Sequence, residues 1–180
     1  MTRRILTDRL VLREWATTDA RDALAVYGRP EVVDWLTPPM APVDSEDLMR
    51  STIQRWIDAG DPEQTLAGHW AAVMQETGLL IGGLSLQRAA PADEDLTVTC
   101  ALASHAWGRG YAAEAAGALL RWAIHEAGAT EVFAIVRRDN VRALATVERI
   151  GMEWVEDDDR RAWGHAHIFR LRHGDLGTED

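Results

Sequence analysis

Apolar residues recur at helical spacing through residues 112–127, the most regular stretch of the chain. They fall at i, i+3, i+4 and i+7 without a break, which predicts an amphipathic helix with one buried face. Gly128 follows at once, and glycine commonly ends a helix. Alanine fills most of the buried positions near the start, so this helix can lie close against a sheet. The apolar positions are Ala112, Ala115, Ala116, Leu119, Leu120, Ala123, Ile124 and Ala127.

The rest of the chain alternates between strand-like and helix-like patterns. Apolar runs predict strands at 10–15, 68–75, 79–86, 96–102, 132–136, 152–156 and 166–172. Helical patterns with N-terminal caps predict helices at 20–27, 44–60 and 140–150. This order predicts an α+β (mixed α/β) fold with about seven strands and about four helices. No repeat or linker divides it, which indicates a single domain over residues 1–180 with its core at about 8–173.

The composition is that of an ordinary globular protein with an acidic excess. Its 180 residues have a formal net charge of −10 and no balancing basic stripe, which argues against nucleic-acid binding. The single cysteine, Cys100, cannot form an internal disulfide and fits a reducing cytoplasm. No apolar run approaches the roughly 20 residues that span a bilayer, and no signal-peptide pattern is present. We therefore expect a cytoplasmic monomer or homodimer without membrane or nucleic-acid partners.

A small-residue loop, residues 107–112 (Trp-Gly-Arg-Gly-Tyr-Ala), joins the strand at 96–102 to the long helix. Such a loop leaves backbone N–H groups free, and the helix adds the positive end of its dipole. No acidic side chain occupies residues 110–113, and Arg109 adds a full positive charge. The pattern indicates a site for a phosphate or pyrophosphate group. The alternative is that the two glycines only turn the chain.

Three motifs, in this order, resemble the GNAT superfamily of acetyl-CoA-dependent N-acetyltransferases, in the branch of the ribosomal-protein N-terminal acetyltransferases RimJ and RimL. Thr7–Arg13 matches the opening strand of that branch, and Trp107–Ala115 matches its pyrophosphate loop, including the tryptophan. Asn140 with Glu148–Met152 matches the second cofactor motif. The resemblance implies a central mixed, mostly antiparallel sheet flanked by helices and splayed between its fourth and fifth strands.

The resemblance also implies where acetyl-CoA, the co-substrate, would bind without a metal. The pantetheine arm would lie in the splay against the backbone of residues 101–103. Asn140 would hydrogen-bond the pantetheine unless it serves only as a helix N-cap. The cofactor-binding candidates are Ala101, Leu102, Ala103, Trp107, Gly108, Arg109, Gly110, Tyr111, Ala112, Asn140, Arg142 and Ala143, with the amides of Arg109, Gly110 and Ala112 as the pyrophosphate ligands.

The chemistry requires a primary amine to lose a proton, attack the thioester carbonyl and expel a thiolate. In this family the N–H of Leu102 would stabilise the tetrahedral oxyanion. The usual general acid, a Ser or a Tyr three or seven residues after the asparagine, is missing, since Ala143 and Val147 stand there. A thiolate whose thiol has a pKa near 8.5 is an acceptable leaving group even without protonation. The loss of the general acid is therefore expected to slow the reaction and not to abolish it. Tyr111, Cys100 or a water could replace the acid.

The general base is equally open. Asp95, Glu94 and His105 are the candidates, acting directly or through a water. Each could instead be a solvated loop residue. The catalytic candidates are therefore Leu102, Asp95, Glu94, His105 and Tyr111.

Two histidines, His165 and His167, have the spacing of metal ligands on one strand face. No third ligand pattern accompanies them, so no metal site is predicted. They are expected to be ordinary strand residues.

Charge placement bears on the acceptor. An acidic loop at 93–95 and the acidic run 156–159 suggest negative potential on the acceptor side, which attracts cations. We expect a cationic primary amine as partner: a protein N-terminus, an aminoglycoside or a polyamine. The alternative is an acyl-CoA-binding module with weak or no catalysis, suggested by the missing acid.

Overall fold

The computed structural model describes residues 4–36, 38, 40–59, 66–90, 93–159 and 164–175. Within these residues, eight strands and five α-helices follow one another along the chain. They are β1 (Arg4–Leu6), β2 (Leu10–Glu14), α1 (Ala20–Tyr27), α2 (Pro30–Val33), α3 (Glu46–Asp58), β3 (Gly68–Met74), β4 (Leu80–Ala90), β5 (Asp93–Leu102), α4 (Tyr111–His125), β6 (Glu131–Arg137), α5 (Val141–Ile150), β7 (Glu153–Asp158) and β8 (Ala166–Arg172).

The eight strands form one sheet in the order β1-β2-β3-β4-β5-β6-β8-β7. All neighbours are antiparallel except β5 and β6, which run parallel and pair at one register position, Thr97–Phe133. Beyond that position the two strands diverge toward their carboxyl ends. The expected splay between the fourth and fifth strands therefore lies between β5 and β6, because β1 adds one strand before it.

Helices cover both faces of the sheet. On one face, α1, α2 and α3 surround an aromatic cluster of Trp15, Tyr27 and Trp56, whose ring centroids lie 5.1–6.1 Å apart. A Cβ at Gly83 of β4 would come within 2.5 Å of Trp15, so glycine permits this close approach. On the other face, the alanine-rich stripe of α4 is buried beside α5. No helix in the described residues has the length and apolarity to cross a bilayer.

Most predicted elements are confirmed, and the differences have simple causes. β1 and α2 are too short to leave a periodic signal, and α2 begins at Pro30, a residue that suits the first position of a helix. Residues 93–95 form the start of β5, in a hairpin with β4, and not an acidic loop. α4 ends at His125, slightly earlier than predicted. The predicted helix end at Gly60 lies outside the described residues, and α3 ends at Asp58.

Candidate active site

A cleft of about 350 Å³ opens where β5 and β6 diverge. Its walls are the facing strands, the first turns of α4, one side of α5 along its length, and residues of α2 and the segment after it. The walls are mainly apolar, and Asn140, Arg142 and Arg149 are among the polar residues that line it. The cleft therefore unites the loop at 107–112 with the helix at 141–150, which the sequence presented as separate motifs.

The backbone of Leu102 faces this cleft. Its neighbour Ala103 donates its N–H to the carbonyl of Ile81 on β4 at 2.8 Å. Successive strand residues turn their backbone groups to opposite edges, so the N–H and C=O of Leu102 point toward β6. The indole N–H of Trp107 donates to that C=O at 2.8 Å, which leaves the N–H of Leu102 directed at the cleft.

The two flanking alanines do not offer their backbone groups in the same way. The C=O of Ala103 accepts the N–H of Ala106 at 2.9 Å, so both of its backbone groups are paired within the chain. Ala101 lies opposite Gly83 in the ladder and turns its backbone groups toward β4. Of the three backbone partners expected for a ligand, only Leu102 presents an N–H to the cleft.

Helix α4 begins without a side-chain cap. Gly110 occupies its N-cap position with a φ of +79°, and the first helical hydrogen bond runs from the N–H of Glu114 to the C=O of Gly110 at 3.0 Å. The N–H groups of residues 110–113 have no partner within the helix, as in the first turn of any α-helix. Gly108 and Gly110 both have positive φ values, which explains the two glycines of the loop. This arrangement can accept an anion.

The first turn of α4 does contain one acid, Glu114, and the β1–β2 loop neutralises it. The hydroxyl of Thr7 donates to Oε1 at 2.5 Å, and the N–H of Arg9 donates to the same oxygen at 2.8 Å. The Arg9 guanidinium donates to Oε2 from Nε at 2.7 Å and from Nη2 at 2.6 Å. Burial alone would raise the pKa of Glu114, but the hydrogen bonds from Thr7 and Arg9 outweigh it and hold the pKa below its usual range.

Arg9 is a site residue that the sequence reasoning did not single out. Its Nη1 also donates to the C=O of Arg109 at 3.1 Å, and its guanidinium carbon lies 4.3 Å from the ring centroid of Tyr111. The Thr7–Arg13 motif was the only sequence signal near it. A contact with Glu114 across 105 positions of sequence cannot be read from local spacing.

Helix α5 begins at the same cleft but is capped by its own side chain. Oδ1 of Asn140 accepts the N–H of Ala143 at 3.2 Å, and Gly151 ends the helix with a φ of +85°. Asn140 is therefore an N-cap and also a cleft residue, and the cap leaves its amide Nδ2 out of that hydrogen bond. Ala143 and Val147 line the cleft as well and bring no proton donor to it.

Arginine and tryptophan side chains stack at the cleft. The guanidinium carbon of Arg142 lies 4.0 Å from the ring centroid of Trp107 and 6.0 Å from that of Trp35. The guanidinium carbon of Arg137 also lies 5.0 Å from the ring centroid of Trp35. Trp35, which the sequence reasoning did not place in the site, follows α2 and lines the cleft. These stacks tie the segment after α2 to α5 and to the loop at 107–112.

Two side chains reach the cleft as possible proton donors. Tyr111 is the first residue of α4, is only 7% exposed and lines the cleft. Cys100 of β5 also lines it, and burial raises the pKa of its thiol to about 12. A thiol with that pKa stays protonated at neutral pH, so Cys100 does not act as a nucleophile. It is also a weaker acid than the CoA thiol that must be protonated, which makes it the poorer of the two proton donors.

Of the three expected bases, Asp95 and His105 do not line the cleft. Asp95 is exposed and lies seven residues before Leu102 on β5, which is about 23 Å along a strand. His105 is exposed on the short 3₁₀ turn at 104–106 that follows β5. The side chain of Glu94 falls outside the described part of the chain. Asp95 is therefore too far from Leu102 for direct action, whereas His105 lies close to it in sequence.

The acidic run at the end of β7 is largely compensated by neighbours. Asp157 and Asp159 both accept hydrogen bonds from Arg138, at 2.7 and 3.1 Å. They also contact Nδ1 of His167 and of His165, at 2.6 and 2.7 Å. Arg138 pairs with these acids and does not line the cleft. Across the described ranges, no group of three or more His, Cys, Asp or Glu side chains could hold a metal ion.

The amino-acid sequence matches a family model described as an acetyltransferase (GNAT) domain over residues 9–153. The chain belongs to this family. The match runs from the end of the β1–β2 loop through α5, and so includes every wall of the cleft. The protein is accordingly a GNAT N-acetyltransferase, and its co-substrate is acetyl-CoA.

Solved GNAT structures superpose over nearly the whole chain. Mycobacterium smegmatis RimJ, solved with a CoA disulfide, gives a TM-score of 0.81 at 15% identity and covers 98% of this chain and 89% of its own. RimL, named as a ribosomal alpha-N-protein acetyltransferase and solved with coenzyme A, gives 0.80 at 16%, covering 94% and 98%. MccE, a microcin self-immunity acetyltransferase solved with acetyl-CoA and AMP, gives 0.78 at 15%, covering 92% and 93%. At these identities they establish the shared fold, and they include the branch that the motifs resemble.

Proposed function

We propose that this GNAT enzyme transfers the acetyl group of acetyl-CoA directly to a primary amine, either a protein N-terminus or a small cationic amine such as an aminoglycoside or polyamine. One observation carries the proposal: the uncapped start of α4 and the cleft-facing N–H of Leu102 lie in the same cleft. An anion site and an oxyanion donor together suit a CoA thioester. We further propose that residues 1–180 form a single catalytic domain.

In this proposal the pyrophosphate lies on the amides of residues 109–112, where the helix dipole favours an anion. Nη1 of Arg149 and Nη2 of Arg9 lie 3.5 and 3.6 Å from the point that a Gly110 Cβ would occupy, and the Arg9 atom is paired with Glu114. Arg149 therefore supplies the positive charge beside those amides that is not already paired with Glu114. The pantetheine then runs between β5 and β6, and the Nδ2 of Asn140 is placed to donate to it. The thioester reaches the N–H of Leu102.

The reaction forms a C–N bond between the amine and the acetyl carbon and breaks the C–S bond. The N–H of Leu102 donates to the oxyanion of the tetrahedral intermediate, a contribution of about 3 kcal/mol for a well-placed donor. The proton lost by the amine passes to solvent or to a base such as His105. The departing thiolate takes a proton from Tyr111 or water, because the Cys100 thiol, with its pKa raised to about 12, is a weaker acid than the thiol that leaves.

Two features support an amine acceptor over simple binding. The structural neighbours include a ribosomal alpha-N-protein acetyltransferase and a self-immunity acetyltransferase. The family assignment itself is to enzymes. The missing acid at Ala143 and Val147 favours the alternative, an acyl-CoA-binding module with weak catalysis.

The deciding experiment measures CoA release from acetyl-CoA across a panel of amines, with mass spectrometry of each amine. The panel includes a peptide with a free N-terminus, the same peptide with a blocked N-terminus, an aminoglycoside and a polyamine. Release that matches the acetylated product, above the rate without amine, supports transfer. Tight CoA binding by calorimetry without acetylation of any amine would instead establish the binding module.

A further inference from the structure

The β1–β2 loop reaches the start of α4 and contacts both Glu114 and the loop carbonyl of Arg109. We propose that Arg9 is a positioning residue for the pyrophosphate-binding turn, because it fixes the direction of the Gly110 N–H through the carbonyl of Arg109. The inference rests on the proposed function, in which the pyrophosphate binds at α4. Arg9 acts in it through the backbone and not as a direct ligand.

The geometry of one peptide group carries the argument. The C=O of Arg109 and the N–H of Gly110 belong to the same peptide, and a trans peptide points the two in opposite directions. Nη1 of Arg9 holds the C=O at 3.1 Å. The N–H of Gly110 must therefore point away from Arg9. Gly110 itself lines the cleft, so this N–H is available to a ligand there.

This peptide needs a brace because glycine stands on both sides of Arg109. Gly108 and Gly110 have positive φ values, a region that glycine enters and leaves with little cost. Without an external hydrogen bond, the peptide between Arg109 and Gly110 could rotate and turn its C=O toward the cleft. A carbonyl in that position would repel a pyrophosphate.

Arg9 can serve as the brace because Glu114 holds it in place. The carboxylate accepts Nε and Nη2 of Arg9, and it accepts the backbone N–H of Arg9 and the hydroxyl of Thr7 as well. A carboxylate in the first turn of α4 would by itself favour the helix but compete with an anionic ligand. The Glu114 carboxylate is explained if it anchors the Arg9 guanidinium, which in turn orients the N–H of Gly110 toward the anion.

The position of Glu114 gives a test whose sign separates two explanations. If the local charge alone governs CoA affinity, Glu114→Ala removes a negative charge and tightens CoA binding. If Glu114 anchors Arg9, Glu114→Ala weakens CoA binding, by about fivefold. Arg9→Ala should weaken it by about tenfold, the range for loss of one hydrogen bond to a charged group.

Arg9→Lys distinguishes charge from geometry in a second way. Lysine keeps the positive charge, but one ammonium cannot bridge the Glu114 carboxylate and the Arg109 carbonyl as a guanidinium does. We expect Arg9→Lys to weaken CoA binding almost as much as Arg9→Ala. The double variant Arg9→Ala with Glu114→Ala should bind CoA no more weakly than Arg9→Ala alone, because both substitutions break the same contact between Arg9 and the Arg109 carbonyl.

The matched control is the Arg13–Asp19 pair, which is also doubly hydrogen-bonded, at 2.7 and 2.8 Å. The Asp19 side chain is 12% exposed and that of Glu114 is 15%, so Asp19→Ala removes a comparable pair that does not line the cleft. Asp19→Ala should lower the melting temperature without changing the CoA dissociation constant.

The measurements are the CoA dissociation constant by calorimetry, kcat and KM for acetyl-CoA, and the melting temperature of each full-length variant. A positioning role raises KM and leaves kcat at saturating acetyl-CoA nearly unchanged. If Arg9→Ala does not fold, Arg9→Lys and Glu114→Gln give the same contrast. Tighter binding in a Glu114 variant, or wild-type affinity in Arg9→Lys, overturns the inference. Failure of the wild-type protein to bind CoA would instead refute the proposed function.

Discussion

Helices α4 and α5 both begin at the cleft between β5 and β6, yet only α5 is capped by a side chain. Asn140 accepts the N–H of Ala143, whereas Gly110 at the start of α4 has no side chain to offer. A side-chain cap stabilises a helix by about 1 kcal/mol. Asn140 thus pairs one first-turn N–H of α5 within the chain, whereas no side chain pairs any at the start of α4, which supports the anion site proposed there.

The two helix starts also differ in their carboxylate and hydroxyl side chains. The first turn of α4 contains Glu114, which is neutralised by Arg9, and its first residue is Tyr111. The first turn of α5 contains neither an acid nor a proton donor. In the proposed function, the start of α4 therefore binds and orients the pyrophosphate of CoA, while α5 mainly forms a wall of the cleft.

The largest expected effect comes from destroying the uncapped start of α4. Gly110→Val places a β-branched residue at a φ of +79°, which valine rarely adopts, so the loop must refold. Loss of two amide contacts to an anion should weaken CoA binding by about 100-fold, at about tenfold for each. Calorimetric titration with CoA measures it.

Gly128→Val is the matched control at the other end of α4. Its φ is +83° and a Cβ there meets nothing within 4 Å, so it imposes a similar backbone strain away from the cleft. It should lower thermal stability and leave CoA affinity unchanged. Unchanged affinity in Gly110→Val would place the anion site elsewhere.

The second expected effect concerns pH and the two proton donors at the cleft, Tyr111 at the start of α4 and Cys100 on β5. Below the pKa of the acceptor amine, kcat/KM should rise by about tenfold per pH unit, because the amine must lose a proton. Burial raises the pKa of Cys100 to about 12, so its thiol stays protonated and gives no alkaline decline below about pH 11. A steep decline below pH 9 would reveal a different essential acid, and Tyr111→Phe would be the variant to compare.

The third prediction separates the two roles of Asn140 at the start of α5. Asn140→Ser keeps a good N-cap and removes the amide, so the melting temperature should hardly change while KM for acetyl-CoA rises by about fivefold. Ser45→Ala, which removes the α3 cap on the N–H of Leu48, is the control. It should cost stability and leave KM unchanged. An unaltered KM in Asn140→Ser would mean that Asn140 is only a cap.

The smallest expected effect concerns the acceptor. With a net charge of −10, the protein should favour cationic amines over matched zwitterionic ones by about threefold in kcat/KM at low salt. The advantage should shrink as ionic strength rises. The pairing of Asp157 and Asp159 with Arg138 limits how much the acidic run adds. Equal values at low salt would show that the charge serves solubility.

One histidine, His69, packs against the aromatic cluster, and its charge state bears on the preference for cationic amines. His69 stacks on Trp56, with centroids 5.0 Å apart and planes 13° apart. Burial lowers the pKa of His69 to about 4, so the ring is neutral above that pH. His69 therefore adds no positive charge to an acidic protein at neutral pH.

The sequence predicted the parts of the site that depend on local physics. Helical periodicity and glycine placement located α4 and α5, and the loop at 107–112 could be recognised because free amides and a helix dipole need only neighbouring residues. The brace by Arg9 could not be predicted, since its partner is 105 positions away. Residues 93–95 were misread because a hairpin with β4 overrides their weak strand propensity.

The sheet consists of two antiparallel units, β1–β5 and β6–β8–β7, whose adjoining strands pair at one register position, Thr97 with Phe133. Each unit is held by its own ladders, but the junction between them is hydrogen-bonded at one position only. A pantetheine in the gap would therefore be a structural member as well as a substrate. Its arrival would stiffen the joint between the two halves, and its departure as CoA would loosen that joint again.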